Sequence, residues 1–184
     1  RLQLCEEMLA NARSGKKLWH SYTVDVPVSQ GRNSAGTEIF GPSGAPVWNT
    51  PTVDPRRGLL YFGTGENYSD PGTTTSDAII AIDLKTGKLT TLYTECDGKK
   101  LVGPNDIVFD KQGGFWFSDH GCSTPEGRKF GGIYYARIDG SHISRQRDHL
   151  ISPNGIGLSP DEKTVYLADT QLGRLWSFDV AKPG

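Results

Sequence analysis

Residues 103–119 read GPNDIVFDKQGGFWFSD, and residues 152–169 repeat the pattern as SPNGIGLSPDEKTVYLAD. Each copy opens on Pro-Asn, runs as a short apolar strand into a polar turn, and ends on a second apolar strand that closes on aspartate. Pro104 and Pro153 are separated by 49 positions (153 − 104). A repeat of about 40 to 50 residues that contains several short strands is typical of β-propeller blades.

A fainter third copy lies upstream, where residues 49–64 read NTPTVDPRRGLLYFGT. Asn49 stands five positions before the turn residue Asp54, and Asn105 and Asn154 keep the same distance from their own turns. The three asparagines are therefore predicted to occupy one equivalent position in three successive units.

The spacing of apolar runs and turn residues predicts four short strands in each repeat. The chain contains 23 glycines and 11 prolines, which suits many tight turns. We therefore predict an all-β fold of about three four-stranded β-propeller blades, at residues 47–95, 104–150 and 153–180, forming part or half of a six-bladed propeller. The third blade is one strand short. Trp116 and Trp176 alternate with phenylalanines along the strands, which predicts packing between blades.

Residues 1–46 are predicted to form an N-terminal segment and loop ahead of the blade region, 47–184. Residues 1–13 are interpreted as a helix with loosely periodic apolar side chains. Residues 17–26 collect aromatic and β-branched side chains and are predicted to be a strand that completes the third blade. Residues 27–46, rich in glycine and proline, are interpreted as a long loop.

Composition argues against two classes of partner. The 184-residue chain has 20 Lys and Arg against 21 Asp and Glu, so no strong field attracts nucleic acid or an anionic membrane. No stretch approaches the ~20 apolar residues of a membrane span. A soluble protein is expected, and its compartment, whether secreted, periplasmic or cytoplasmic, stays open.

An arc of three blades would leave a sheet face exposed to water, and the sequence begins with Arg1 rather than methionine. We expect either a segment of a longer propeller or a chain that pairs with a copy of itself as a homodimer to complete six blades.

Three cysteines, Cys5, Cys96 and Cys122, lack the spacing of a metal site. They are expected to be separate thiols, with Cys96 and Cys122 as the one pair to test for a disulfide.

A polar residue at the start of the innermost strand of a propeller blade faces the central channel. Asn49, Asn105 and Asn154 are predicted to hold this position, where their carbonyl oxygens could help bind Ca²⁺, a cation that takes about six to eight oxygen ligands. Pro-Asn is also ordinary turn chemistry, in which the asparagine side chain bonds its own backbone. Both interpretations stay open from the sequence.

Asp119 and Asp169 close the second strand of their repeats, and His120 follows the first of them. An imidazole that titrates near neutrality beside a carboxylate is a candidate general base, so these three are the candidate catalytic residues. The alternative is that they tie loops together by hydrogen bonds and take no part in chemistry.

From Lys88 onward the chain resembles the senescence marker protein/gluconolactonase/LRE-like family of six-bladed propellers. The resemblance rests on LYTECDGKKLVGPNDIVFDKQGGFWFSDHG, GGIYYARIDGS and SPNGIGLSPDEKTVYLADTQLGRLWSFD. It implies a lactonase in which a divalent cation in the channel, Ca²⁺ or another divalent metal, polarises a lactone carbonyl for attack by water. It further implies that Asn154 is a cation ligand and that Asn105, with Asp106 beside it, binds substrate.

Two carboxylate ligands that the resemblance implies are not found in this sequence. The early-blade glutamate of the family falls at Asn49 or, in a different alignment, at Ala45. The aspartate, which is also the proposed general base, would come from a blade after residue 184. We therefore expect this chain alone to be weakly active or inactive.

Residues 14–88 resemble a different class, the pyrroloquinoline-quinone (PQQ) dehydrogenases, whose propeller blades end in Gly-Lys-x-x-Trp. The segment from Ser14 to Trp19 keeps that ending, and Thr91 replaces the tryptophan in the next unit. In quinoprotein alcohol dehydrogenases the residue after Gly-Thr-Gly binds the calcium of the cofactor, which makes Glu66 and Asn67 candidate cofactor-binding residues here.

The sequence thus predicts a segment of a calcium-dependent, gluconolactonase-like hydrolase that acts on a small lactone or sugar-like substrate. Two alternatives remain: a fragment of a PQQ-dependent dehydrogenase, and a propeller that binds ligands without catalysis.

Overall fold

The computed structural model of the chain describes residues 6–182, which form 21 β-strands. The strands are β1 (Glu6–Ala10), β2 (Lys17–Tyr22), β3 (Val28–Arg32), β4 (Glu38–Gly41), β5 (Ser43–Gly44), β6 (Thr52–Asp54), β7 (Leu59–Gly63), β8 (Asn67–Ser69), β9 (Ile79–Asp83), β10 (Leu89–Tyr93), β11 (Glu95–Cys96), β12 (Lys99–Lys100), β13 (Pro104–Phe109), β14 (Gly114–Asp119), β15 (Cys122–Thr124), β16 (Gly127–Lys129), β17 (Gly131–Arg137), β18 (Ile143–Leu150), β19 (Pro153–Leu158), β20 (Thr164–Asp169) and β21 (Arg174–Asp179). Within the described range there is no helix long and apolar enough to cross a membrane.

Three antiparallel sheets correspond to the three sequence repeats. Sheet 1 has the strand order β10-β9-β7-β6, sheet 2 has β13-β14-β17-β18, and sheet 3 has β19-β20-β21. Each sheet is a meander in which strands that follow one another within the repeat are neighbours, joined by short turns or by small two-stranded excursions such as β15–β16. The all-β prediction is therefore confirmed for the described residues.

Alternation along β14 explains how the sheets stack. Successive side chains of a strand point to opposite faces, and every residue of β14 is buried because sheet 2 lies between the other two. Phe115 and Phe117 join a core cluster with sheet 1, whereas Trp116 joins a cluster with sheet 3. Trp176 and Phe178 pack against that second cluster from β21. The predicted packing role of these aromatic residues is confirmed.

The N-terminal strands correct one prediction. Residues Glu6–Ala10 form β1, which pairs with β2, so the helix predicted for residues 1–13 is wrong where the structure describes it. Residues 1–5 lie outside the described residues. Asn11 explains the reversal of the chain, because its side-chain oxygen accepts two backbone hydrogen bonds at 2.9 and 3.1 Å and holds a tight turn.

The β1–β2 hairpin packs on sheet 1. Trp19 donates its indole N–H to the carbonyl oxygen of Leu84 at 2.8 Å, and its ring lies so close to Gly87 that a Cβ there would come within 2.9 Å of it. In the described chain β2 pairs with β1 and not with β21. The strand predicted at residues 17–26 therefore ends at Tyr22 and does not complete sheet 3.

The long loop predicted for residues 27–46 is also wrong. Strands β3 and β4 form a hairpin there, and β5 pairs with β8. Asn33 holds the hairpin turn by accepting backbone hydrogen bonds from Ala35 and Thr37, both at 3.0 Å. Every residue of β3 is exposed, so no apolar alternation marks this strand in the sequence.

Two of the cysteines can be assigned. Cys96 is buried, Cys122 is half-buried, and both are free thiols, so the disulfide between them is not formed. Cys5 lies outside the described residues. The prediction of separate thiols is confirmed for the two cysteines that the structure describes.

Candidate functional site

The three sheets meet around a cavity of about 540 Å³, at the end where β13 and β19 begin and β7 and β14 finish. This end of each sheet is called its inner end. It is lined by Trp48, Glu66, Gly103, Asn105, His120, Gly121, Cys122, Ser123 and Asn154. Four predicted site residues from three different sheets or their end loops, Glu66, Asn105, His120 and Asn154, are thus brought together. A larger groove of about 720 Å³ lies between β18 and β21 and contains none of the predicted site residues.

Matching β-bulges place Asn105 and Asn154. In sheet 2, Pro104 pairs with Asp119 and the register then shifts before the next pair; sheet 3 repeats this at Pro153 and Asp169. The shift leaves two residues of the inner strand, β13 or β19, opposite one residue of the next strand, β14 or β20. Such a bulge turns a side chain away from the regular ladder. Each bulge begins with the asparagine that lines the cavity.

Trp48 takes the corresponding position beside sheet 1. The backbone N–H of His120 donates to Gly103 O at 2.8 Å, and the N–H of Gly65 donates to Pro46 O at 3.0 Å in the same manner. Two residues after each acceptor stand Asn105 and Trp48, respectively. The acceptor residue Pro46 stands eight positions before the turn residue Asp54, whereas Gly103 stands seven before Asp110. Counting back five positions from the turn therefore reaches Asn49 in sheet 1, one residue beyond Trp48.

Asn49 itself does not line the cavity. Both polar atoms of its side chain are buried without a hydrogen-bond partner among the described residues. The structure therefore places Trp48, and not Asn49, at the position equivalent to Asn105 and Asn154.

Asp106 links sheet 2 to sheet 3. Its Oδ2 accepts the backbone N–H of Ile156 at 2.9 Å, and its Oδ1 accepts that of Ile107 at 3.0 Å. Ser118 supports the same junction, because its hydroxyl accepts the N–H of Asp106 at 3.1 Å and donates to the carbonyl oxygen of Asn154. Both carboxylate oxygens of Asp106 are thus used inside the protein. This geometry gives Asp106 a positioning role, and its predicted contact with substrate stays a prediction.

His120 is held by both ring nitrogens. Nε2 lies 2.6 Å from Ser152 Oγ, and Nδ1 lies 3.2 Å from the carbonyl oxygen of Gly121. Because a carbonyl oxygen only accepts, this network puts the proton on Nδ1 and makes Nε2 the acceptor of the serine hydroxyl. Ser152 is fully buried. The imidazole forms a wall of the cavity with both nitrogens hydrogen-bonded inside the protein, and its role as a base stays a prediction.

Asp119 and Asp169 are buried behind the cavity. Asp119 accepts backbone hydrogen bonds from Val102 at 2.8 Å and Gly121 at 2.9 Å, and burial raises the pKa of its carboxyl group. Asp169 accepts one from Leu172 at 3.3 Å. Asp119 thus bonds the segments before β13 and after β14, and Asp169 bonds the turn after β20 while its Oδ2 is buried without a partner among the described residues. These hydrogen bonds are the loop contacts of the alternative interpretation, and the catalytic role of both aspartates stays a prediction.

The adjacent candidates Glu66 and Asn67 differ in their environments. Glu66 is exposed and lines the cavity. Asn67 uses its side-chain amide within its own loop, donating to Ser69 O and accepting from the hydroxyl of Ser76. Of the pair, Glu66 therefore remains a candidate ligand, and Asn67 positions the loop that carries it.

Asp77 is an ionisable residue close enough to Glu66 and Asp119 to interact with them electrostatically, and the sequence analysis did not identify it. Burial, followed by the negative charges of Asp119 and Glu66, raises the pKa of Asp77 to about 7. Its Oδ1 is buried without a partner among the described residues, and its backbone is left-handed with φ 48°. No spacing signal marks this position, because its environment is created by residues distant in sequence.

Metal chemistry has a limited donor set here. Among residues 6–182, no group of three or more His, Cys, Asp or Glu side chains is arranged to hold a metal ion. The side-chain oxygen donors at the cavity are the carboxylate of Glu66, the amides of Asn105 and Asn154, and the hydroxyl of Ser123, which already accepts a hydrogen bond from Arg128. Asn154 donates its Nδ2–H to Thr170 Oγ1 at 2.9 Å, which leaves its carbonyl oxygen as the available donor atom. This oxygen set suits part of a calcium shell, with water supplying the remainder.

The stacked antiparallel sheets define a propeller-like, all-β protein with a polar cavity where the ends of its three sheets meet. Residues 49–184 match the model of the SMP-30/Gluconolactonase/LRE-like region, and the chain belongs to that family.

Curated relatives include two enzyme classes. The chain is 40% identical over 80 residues to a polyvinylalcohol dehydrogenase from a Pseudomonas species, covering 43% of this chain and 12% of that protein. It is 33% identical over 125 residues to lactonohydrolase oryL of Aspergillus oryzae, covering 64% of this chain and 29% of that protein. It is 40% identical over 81 residues to lactonase drp35 of Staphylococcus saprophyticus, covering 44% and 24%. The chain thus spans less than a third of the length of each of these relatives.

Solved structures support the same fold. A gluconolactonase from Xanthomonas campestris is similar with a TM-score of 0.57 and 26% identity, covering 82% of this chain and 50% of that one. A 6-phosphogluconolactonase-like protein from Bacteroides uniformis aligns with a TM-score of 0.52 over 95% of this chain and 43% of its own, and at 12% identity it supports the fold alone. The predicted family membership is confirmed, and the dehydrogenase match agrees in part with the second resemblance.

Proposed function

We propose that this chain is part of a lactone hydrolase that works with a divalent cation, Ca²⁺, at the cavity lined by Glu66, Asn105 and Asn154. The carrying observation is that two asparagines in matching bulges and one exposed carboxylate open into a single cavity. The lactonase relatives and the similar gluconolactonase structure support the reaction class. The substrate would be a small cyclic ester.

Glu66 and Asn154 would hold the cation through oxygen atoms, and Asn105 would lie beside the substrate. Bound there, the cation supplies Lewis-acid polarisation of the lactone carbonyl and lowers the pKa of water. Asp106 and Ser118 join β13, β14 and β19 by hydrogen bonds and so fix the positions of the asparagines. The remaining ligands would be water or substrate oxygens.

Proton removal from water is the weak step in this arrangement. Both nitrogens of His120 are bonded within the protein, and Asp119 is buried and bonded to backbone amides. Glu66 is the one carboxylate among the described residues that lines the cavity. One group would then both bind the cation and accept the proton, so we expect hydrolysis by this chain to be slow.

The direct test is ring opening of glucono-δ-lactone followed as acid release. A rate above spontaneous opening that requires Ca²⁺ and disappears with chelator is expected. Calorimetric titration with Ca²⁺ distinguishes a ligand-binding domain without a cation site, for which no heat of binding would appear at millimolar concentration.

The second candidate is part of a quinone-dependent dehydrogenase. The observation in its favour is the match to polyvinylalcohol dehydrogenase, together with Glu66 and Trp48 at one cavity. Addition of PQQ and Ca²⁺, with an alcohol and a redox dye, tests it. Absence of quinone binding would remove this candidate.

We also propose that a further set of blades completes the ring, as a second copy or as another part of a longer protein. The outer face of sheet 3 exposes Tyr166 and Leu175, the latter 74% exposed, where a propeller would place the next sheet. Sedimentation of the chain tests the homodimer, and a stable monomer at micromolar concentration would exclude it.

A further inference from the structure

Trp48 gives the cavity an aromatic wall. Trp48 follows the acceptor of a backbone hydrogen bond by two residues, as Asn105 does in sheet 2. Sheet 1 therefore has an aromatic side chain at the position where sheets 2 and 3 have amides. The residue is 53% exposed although it lines a cavity. A large apolar surface left open opposite amide and carboxylate groups is a combination typical of a site for a ligand with one apolar face and one polar edge.

Gly65 fixes how the indole sits. A Cβ at this position would lie 2.5 Å from both Cη2 and Cζ2 of Trp48, so the indole would have to shift to admit it. The backbone of Gly65 is not left-handed, so glycine is needed here for the close approach of the ring and not for an unusual φ. Pro46 lies on the same side, with its Cγ 3.1 Å from that Cβ position. The absence of a side chain at Gly65 therefore lets the indole pack against the loop that carries Glu66.

We propose that Trp48 determines specificity by contacting the C–H face of a cyclic, polyhydroxylated ester, while Asn105 and Asn154 bind its hydroxyl or carbonyl oxygens. This inference rests on the proposed lactone hydrolase and goes further by selecting ring-shaped over open-chain ligands. A closed sugar-type ring has a continuous apolar face that an indole covers well. The open-chain acid formed by hydrolysis lacks that face, so Trp48 favours the substrate over the product.

The test uses a ring that does not hydrolyse. Gluconolactam, in which an amide replaces the ester, is titrated against the full chain by saturation-transfer NMR, and open-chain gluconate is titrated in parallel. The variants are Trp48→Leu, which keeps apolar volume without an aromatic face, and Trp48→Phe, which keeps a flat ring. Tyr166→Leu is the matched control, because it removes an exposed aromatic ring from the outer face of sheet 3.

The expected result is that Trp48→Leu weakens lactam binding about tenfold, a typical size for loss of an aromatic contact. Trp48→Phe should stay within about threefold of the wild type. Tyr166→Leu should leave lactam binding unchanged, and gluconate affinity should be the same in all four proteins. Melting curves by circular dichroism check folding, and if the leucine variant is unstable, a loss of lactam affinity well beyond threefold in Trp48→Phe would contradict the inference.

Two outcomes overturn the inference while the proposed function stands: unchanged lactam affinity in Trp48→Leu, or equal weakening of lactam and gluconate. A wild-type chain that binds no lactam also overturns it. Failure of the proposed function is recognised separately, by the absence of Ca²⁺-dependent lactone ring opening.

Discussion

The carboxylate of Asp106 on β13 accepts the backbone N–H of Ile156 on β19 at 2.9 Å, so that one side chain joins the inner strands of sheets 2 and 3. Its other oxygen is bonded to the N–H of Ile107. The bond lies within two residues of both Asn105 and Asn154. The spacing between the two asparagines therefore depends on this junction.

Replacement of Asp106 by asparagine should lower the free energy of unfolding by about 1–3 kcal/mol, because an amide NH₂ then faces a backbone donor that loses its acceptor. Urea denaturation measures the change. Asp25→Asn, at an exposed position, is the matched control and should be neutral. Equal stability of Asp106→Asn and the wild type would show that the junction contributes nothing.

The pKa of Asp77, raised to about 7, leads to a pH prediction. An ordinary unfolded carboxyl group titrates near 3.9, so between pH ~4 and ~7 the folded protein binds more protons than the unfolded chain, and stability falls as pH rises. Asp77→Asn removes this loss, and asparagine tolerates the left-handed backbone at this position.

We therefore expect Asp77→Asn to gain stability relative to the wild type at pH 8 and to show a smaller gain at pH 5. Thermal unfolding at the two pH values measures the difference. Glu66→Gln should produce a weaker gain in the same direction, since Glu66 is a lesser cause of the shift. A variant whose advantage is the same at both pH values would contradict this assignment.

Gly65 and Trp48 should show energetic coupling. Gly65→Ala places a methyl group 2.5 Å from the indole and should destabilise the fold by about 1–3 kcal/mol, the usual cost of overpacking. In the double variant Gly65→Ala/Trp48→Ala the clash is absent, and the alanine at 65 should cost much less. A double-mutant cycle by urea denaturation measures the coupling, and additive effects would mean that the two residues do not meet.

Cysteine labelling distinguishes the thiol at the cavity from the thiol in the core. Cys122 lines the cavity, whereas Cys96 is buried and burial raises the pKa of its thiol. A thiol reagent at pH 8 should label Cys122 much faster than Cys96, because Cys122 is more exposed and burial disfavours the thiolate of Cys96. Peptide mass mapping assigns the label. Faster modification of Cys96 would place the cavity elsewhere.

The sheets and their stacking could be read from the sequence because they depend on local patterns. Alternation of Phe115, Trp116 and Phe117 predicts a strand buried on both faces, and the repeated Pro-Asn pairs predict equivalent inner strands. The β1 strand was misread because its pairing with β2 outweighs a loosely periodic apolar pattern. Exposed hairpins such as β3–β4 carry turn residues but no apolar alternation.

The site was only partly readable because its geometry is made by contacts between distant residues. Asn105 and Asn154 were found from the repeat. The bond from His120 to Ser152 spans 32 positions, and no spacing rule predicts that it ties up the imidazole. One extra residue in the inner segment of sheet 1 moved the cavity position from Asn49 to Trp48, a shift that a count from the turn cannot detect.

The cavity where the ends of the three sheets meet is the proposed active site, and the rate of glucono-δ-lactone ring opening by the wild type and Asn154→Ala tests that assignment. Acid release is followed with Ca²⁺ and with chelator, beside Gln171→Ala, an exposed loop variant, as control. We predict a slow Ca²⁺-dependent rate above the spontaneous reaction in the wild type and in Gln171→Ala, and its loss in Asn154→Ala. A wild-type rate equal to the spontaneous reaction, or activity that Asn154→Ala retains, would contradict the account.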